Sequence, residues 1–87
     1  MSLDERFNAA AVKVKTFTKR PTDSELLQLY ALFKQASFGD NKTSKPGMLD
    51  LKGRAKWESW NDLQGKSQDA AKEEYIALVE SLSQKYL

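Results

Sequence analysis

Toward the C-terminus, Ala71, Tyr75, Leu78, Val79, Leu82 and Tyr86 recur at i, i+4, i+7, i+8, i+11 and i+15, the pattern of one face of an α-helix. Ser67 just before them offers an N-cap oxygen, and Asp69 puts negative charge in the first turn, where backbone amides lack partners. A helix with one apolar stripe has to be covered by another element. The chain is 87 residues long and has no cysteine, so it builds at most one core and gains no disulfide. A single domain over residues 1–87 is expected.

The cover is legible near the N-terminus. Ser2-Leu3-Asp4-Glu5 has the S-x-x-E form of a capping box, and Phe7, Ala10, Ala11, Val14 and Phe17 follow at helical spacing, with Lys19-Arg20-Pro21 expected to end that helix. Thr22-Asp23-Ser24-Glu25 repeats the capping box, so a second helix begins near Asp23. Its apolar residues, Leu26, Leu27, Leu29, Tyr30, Leu32, Phe33 and Ala36, spread over more than one stripe. The second helix should therefore touch two neighbours, or one neighbour and a ligand. From about Phe38 to Asp50 turn formers replace any helical period, a long loop for so small a domain. Asp50 would cap a short third helix carrying Lys52, Arg54, Lys56, Trp57 and Trp60, with Gly65 beyond its end. Gly53 inside that helix costs ~1 kcal/mol relative to Ala, which points to a tight contact or a close backbone approach. The fold class is all-α, with the first and last helices packed together.

The chemistry is narrowed by what is absent. Without histidine or cysteine there is no thiol nucleophile, no Ser-His or Cys-His pair and none of the usual zinc ligands. Asp50 and Glu58 are better read as a cap and a surface charge than as an acid–base pair, and Asp40-Asn41 does not match the alternating oxygen ligands of a calcium loop. No catalytic residue, metal site or cofactor is expected. The N-terminus has no basic region followed by an apolar run, and no stretch nears the ~20 apolar residues of a membrane span, so a cytoplasmic location is expected.

What remains is cationic and aromatic. The net charge is only +2, but Lys42, Lys45, Lys52, Arg54 and Lys56 stand against Asp50 alone between residues 42 and 56, a local balance of 5 − 1 = +4. Tyr30, Phe33 and Lys34 lie on one side of the long loop, and Lys52 and Lys56, one turn apart, on the other. Lysine binds phosphate as a flexible point charge and an aromatic face stacks on a base, so an anion with a flat base is the implied ligand. Trp57 and Trp60 are read as packing residues.

The run Tyr30-Ala31-Leu32-Phe33-Lys34-Gln35-Ala36, followed by Gly39-Asp40, Lys45-Pro46-Gly47-Met48-Leu49-Asp50-Leu51-Lys52-Gly53 and Ala55-Lys56-Trp57, resembles the signature of the acyl-CoA-binding protein family. The likeness extends from Phe7-Asn8-Ala9-Ala10 to Lys85-Tyr86. It implies a four-helix, up-down-down-up bundle that acts as a non-catalytic intracellular carrier and pool former for medium- and long-chain fatty acyl-CoA. By the same resemblance, Lys34 and Lys56 would neutralise the ribose 3′-phosphate region, and Tyr30 would supply a hydroxyl there and help enclose the adenine. Phe33 would be an adenine-side aromatic. Lys15 and Lys52 would border the ligand, and Tyr75 would lie against both the first helix and the ligand. Phe33 stands where many members carry a second tyrosine, a difference worth about 1 kcal/mol if that hydroxyl bonded ligand. The implied partners are fatty acyl-CoA and, transiently, membranes and acyl-CoA-using enzymes, with the protein a monomer that binds no nucleic acid. The competing reading is a helical module whose basic patch engages an acidic protein, nucleic acid or an anionic membrane.

Overall fold

Two capping boxes and two simpler caps set the starts of four helices. In the computed structural model, which describes residues 1–87, α1 (Leu3–Val14) and α2 (Asp23–Phe38) each open on a reciprocal box: Ser2 with Glu5, and Thr22 with Glu25. The side chain of Asp50 accepts from the Gly53 amide at the start of α3 (Leu51–Asn61), and that of Ser67 accepts from the Ala70 amide at the start of α4 (Gln68–Tyr86). No strand forms, as the absence of any alternating pattern leads one to expect.

The first helix ends sooner than the sequence suggests. Its last helical residue is Val14, not a residue next to Pro21. Lys15, Thr16 and Phe17 donate three residues back, to the carbonyls of Val12, Lys13 and Val14, which tightens the final turn. The Thr18 and Lys19 amides, which would have continued the helix, donate instead to the Tyr86 carbonyl at 2.7 and 3.4 Å. The α1–α2 connection is thereby latched to the end of α4. Phe17 leaves the helix but not the core, because its ring lies 6.2 Å from that of Tyr86.

Helix α4 is the element on which α1 and α2 both rest, and α3 packs on α2 alone. The core draws on three of the helices: Phe7 and Ala10 from α1, Leu29, Leu32 and Ala36 from α2, and Ala71, Tyr75, Val79 and Leu82 from α4. Overall extents are 38 × 28 × 15 Å, and the shortest is little more than one helix diameter of ~10–12 Å. Every helix thus keeps a side at the surface, and only 15 of the 87 residues are buried.

The long connection from Gly39 to Asp50 owes its shape to polar groups. Gly39 stops α2 with φ +80°, a region favouring glycine. Buried Asn41 accepts from the amide and hydroxyl of Thr43 and donates to the Trp57 carbonyl, while Gln64 donates to the Asn41 carbonyl. The Trp57 and Trp60 indoles donate to the carbonyls of Thr43 and Gly39, each at 2.9 Å. Beneath the loop, fully buried Gln35 donates to Asp40 and to the Lys66 carbonyl. Asp40 also accepts from the Gly65 amide, and these bonds hold its carboxyl below its usual range. Buried Trp60 thus ties α3 to the end of α2, where its ring also lies 6.4 Å from Phe38, and half-buried Trp57 ties α3 to the loop.

Candidate functional site

Helical spacing on α2 puts Tyr30 and Lys34 one turn apart, and Phe38 one turn further. On α3 the same rule aligns Lys52, Lys56 and Trp60. The packing of α3 on α2 brings the two rows together. Lys34 Nζ sits 5.7 Å from the Tyr30 ring, 4.9 Å from Phe38 and 5.5 Å from Trp60, while Lys56 Nζ lies 5.4 Å from the Tyr30 ring on the other helix. Tyr30 is therefore shared between two ammonium groups. Cation–π attraction of ~0.5–2 kcal/mol per pair helps offset their mutual repulsion.

Neither ammonium has a carboxylate partner. Arg6, Lys13, Arg20, Lys45, Lys66, Lys72 and Lys85 each pair with an acidic side chain within 4.0 Å. Lys15, Lys34, Lys52 and Lys56, the four cations singled out from the sequence, are absent from those pairs. Lys34 is half-buried as well, so its charge is held against aromatic faces with reduced access to water. An arrangement of this kind lowers the cost of taking up an anion, since no ion pair has to be broken first.

Tyr30 and Lys56 also line a groove of about 570 Å³, which Leu26 and Leu27 from α2 and Leu51, Lys52 and Ala55 from α3 wall with them, and which Arg20 and Asp23 border; Lys34 is not part of its lining. A lining that mixes Leu26, Leu27, Leu51 and Ala55 with Arg20, Lys52 and Lys56 suits an amphiphile whose headgroup is anionic. A larger cavity of about 750 Å³ lies on the other side of Leu27, against α4. Its charged wall residues are Asp62 and Glu74, so it does not suit an anion.

The remaining sequence candidates fall elsewhere. Phe33 is partly exposed, stacks on Phe7 at 5.5 Å and meets Tyr75 at a tilt at 5.9 Å, with Phe7 and Tyr75 edge-to-face at 5.1 Å. This triad joins α1, α2 and α4, and none of its three rings lines the groove. Burial pushes the Tyr75 hydroxyl above its ordinary pKa. Lys15 caps the C-terminus of α1, exposed, and does not line the groove. Reading the sequence overlooked Arg20, Asp23, Leu26, Leu27, Leu51 and Ala55 as groove walls and Phe38 as a ring facing Lys34. Phe38 could have been found from its i+4 spacing to Lys34. The others depend on how α3 crosses α2.

Comparison with known proteins gives a consistent picture. The family model described as "Acyl CoA binding protein" matches residues 4–79. An acyl-CoA-binding protein homolog of Drosophila melanogaster is 68% identical over 84 residues, covering 97% of this chain and 98% of its own length. The acyl-CoA-binding protein of Saccharomyces cerevisiae is 49% identical over 84 residues, covering 97% of each chain. Among solved structures, the crystal structure of Oryza sativa acyl-CoA-binding protein 2 superimposes with a TM-score of 0.92 at 38% identity, covering 97% of this chain and 93% of the other.

Proposed function

The chain belongs to the acyl-CoA-binding protein family, whose members are binding proteins and not enzymes, and from that premise we propose how it holds its ligand. Acyl-CoA binds as a ligand, without a resident cofactor. In our reading residues 1–87 act as one monomeric unit, a cytoplasmic carrier and pool former for medium- and long-chain fatty acyl-CoA. Donor and acceptor membranes and acyl-CoA-using enzymes are its transient partners. The absence of cysteine suits that reducing compartment.

The observation that carries the site assignment is the pair of carboxylate-free ammoniums, Lys34 and Lys56, each within 6 Å of the Tyr30 ring, which itself lines the groove. The phosphorylated ribose of CoA would be held by Lys34 and Lys56, with the Tyr30 hydroxyl beside it. Lys52 on the groove wall would meet further phosphate oxygens. Phe33 would offer aromatic surface on the adenine side of Tyr30, with buried Tyr75 backing its ring at 5.9 Å, and Lys15 adds positive charge at the end of α1. Leu26, Leu27, Leu51 and Ala55 would shield the acyl chain.

Each buried methylene contributes about 0.8 kcal/mol, so even partial burial of a long tail adds several kcal/mol to what the headgroup supplies. Charge-assisted bonds to phosphate contribute roughly 1.5–3 kcal/mol apiece before the ordering of ligand is subtracted. Palmitoyl-CoA should accordingly bind more tightly than free CoA, and palmitate weakly. Isothermal titration calorimetry with all three at two salt concentrations tests this. Equal affinity for free CoA and palmitoyl-CoA would refute the tail-burying groove, whereas binding that collapses with salt and ignores tail length would favour polyanion capture by the basic patch.

A further inference from the structure

At the end of the long loop, Asp50 N–H donates to the Gly47 carbonyl at 3.1 Å, closing a turn whose two corner residues are Met48 and Leu49. Corners of such turns ordinarily carry Gly, Asn, Asp or Ser. Here the corner side chains are 81% and 98% exposed, and Leu51, one residue past the cap of α3, is 76% exposed. No other segment puts three large apolar side chains within four residues in such full contact with water. The turn is also braced. Arg54 donates to the Pro46 carbonyl at 3.1 Å, Asp50 is occupied as the cap of α3, and Lys45 is tied to Glu58 at 3.0 Å.

The surroundings of this tip are positive. Lys42, Lys52 and Lys56 make no ion pair within 4.0 Å, Lys42 acting on Asp40 only from further off, and Asp50 is the one carboxylate between residues 42 and 56. We propose that the Gly47–Asp50 turn is a membrane-docking tip, whose Met48, Leu49 and Leu51 side chains enter the interfacial region of an anionic phospholipid bilayer while Lys42, Lys52 and Lys56 meet its headgroups. Apolar insertion combined with attraction to anionic lipid is the usual basis of peripheral binding, and each lysine near such a surface strengthens it about fivefold. The association is peripheral, because no helix is long and apolar enough to cross a membrane. Leu51 and Lys52 belong both to the tip and to the groove wall, so docking places the mouth of the groove on the bilayer. The inference extends the carrier reading but does not rest on it, since it concerns the ligand-free chain.

Flotation of the ligand-free protein with vesicles of phosphatidylcholine alone, and of phosphatidylcholine with one third phosphatidylserine, tests the proposal. The wild type should partition to the anionic vesicles, and the variant Met48→Ser/Leu49→Ser should lose about tenfold or more at unchanged net charge. Affinity for free CoA should be the same in both proteins, which separates a docking defect from a damaged ligand site. A fluorophore on Leu49→Cys should shift to the blue on adding anionic vesicles. Equal partitioning of wild type and variant would overturn the proposal. So would a blue shift produced by palmitoyl-CoA without vesicles, which would make the tip a lid on the ligand, or Leu49-dependent dimerisation in sedimentation, which would make it a contact between copies.

Discussion

The Tyr86 hydroxyl donates to Glu25 Oε1 at 2.7 Å, tying the last turn of α4 to the first turn of α2. The same carboxylate accepts from the Thr22 amide and from Lys85, so one side chain closes a capping box and receives the chain end. These bonds, that from Tyr86 foremost, pull the Glu25 pKa down to about 2 from 4.5. Near neutral pH the group is ionised whether the chain is folded or not. As pH falls below about 4.5 the unfolded chain takes up the proton first, and the stabilisation is lost progressively until the folded carboxyl also protonates near 2. Tyr86→Phe removes the largest cause. Its acid-unfolding midpoint, followed by circular dichroism, should move to higher pH than that of the wild type. Coincident acid transitions would show that the bond contributes nothing.

Lys34→Ala should weaken free CoA and palmitoyl-CoA alike, by roughly 10- to 150-fold for a lost charge-assisted bond of about 1.5–3 kcal/mol. Lys56→Ala should behave similarly. Lys13→Ala, which removes a lysine already paired with Glu80, serves as the control. If Lys34 meets the 3′-phosphate, its substitution should have little effect on dephospho-CoA. An undiminished loss with that ligand would move Lys34 to another part of the headgroup.

Helix starts were legible because a capping box is a local event: Ser2 with Glu5 and Thr22 with Glu25 need only four consecutive residues to be recognised. The end of α1 was not, because it is decided by Tyr86, whose carbonyl takes the amides of Thr18 and Lys19 from 67 or more residues away. The site divides in the same manner. Tyr30, Lys34, Lys52 and Lys56 could be grouped by residue chemistry and helical spacing, and the structure does bring Tyr30, Lys34 and Lys56 within 6 Å of shared rings. The groove walls Leu26, Leu27 and Ala55 look like ordinary core residues until the crossing of α2 and α3 leaves them uncovered. Phe33 shows the converse, since its place in a triad with Phe7 and Tyr75 follows from tertiary packing and not from its neighbours on α2.

Gly53 has a local explanation that the sequence only half suggested. A Cβ there would come within 2.2 Å of Asp50 Oδ2, so the crowding is with the cap of its own helix and not with another element. Gly53→Ala should gain about 1 kcal/mol of helix propensity and lose about 1 kcal/mol of capping, leaving stability nearly unchanged. In an Asp50→Ala background the cap is already gone, and the same substitution should stabilise by about 1 kcal/mol. Urea unfolding of the four proteins measures the coupling, and strictly additive effects would contradict it.

Leu26 and Leu27 separate the energetics of tail and headgroup. Both line the groove, and neither carries a charge or a ring for the CoA headgroup to meet. Leu26 also packs against the core, so Leu26→Ala confounds binding with stability, whereas Leu27 is the cleaner probe. Leu27→Ala removes apolar wall worth about 1 kcal/mol or slightly more to a tail lying against it. The affinity for palmitoyl-CoA should fall about five- to tenfold, that for butyryl-CoA less, and that for free CoA hardly at all. Titrations across this series give a slope of binding free energy per methylene. A slope unchanged by Leu27→Ala would mean that the acyl chain leaves the protein by another face, and the cavity on the far side of Leu27 would be the next to probe with Leu63 and Leu78 substitutions.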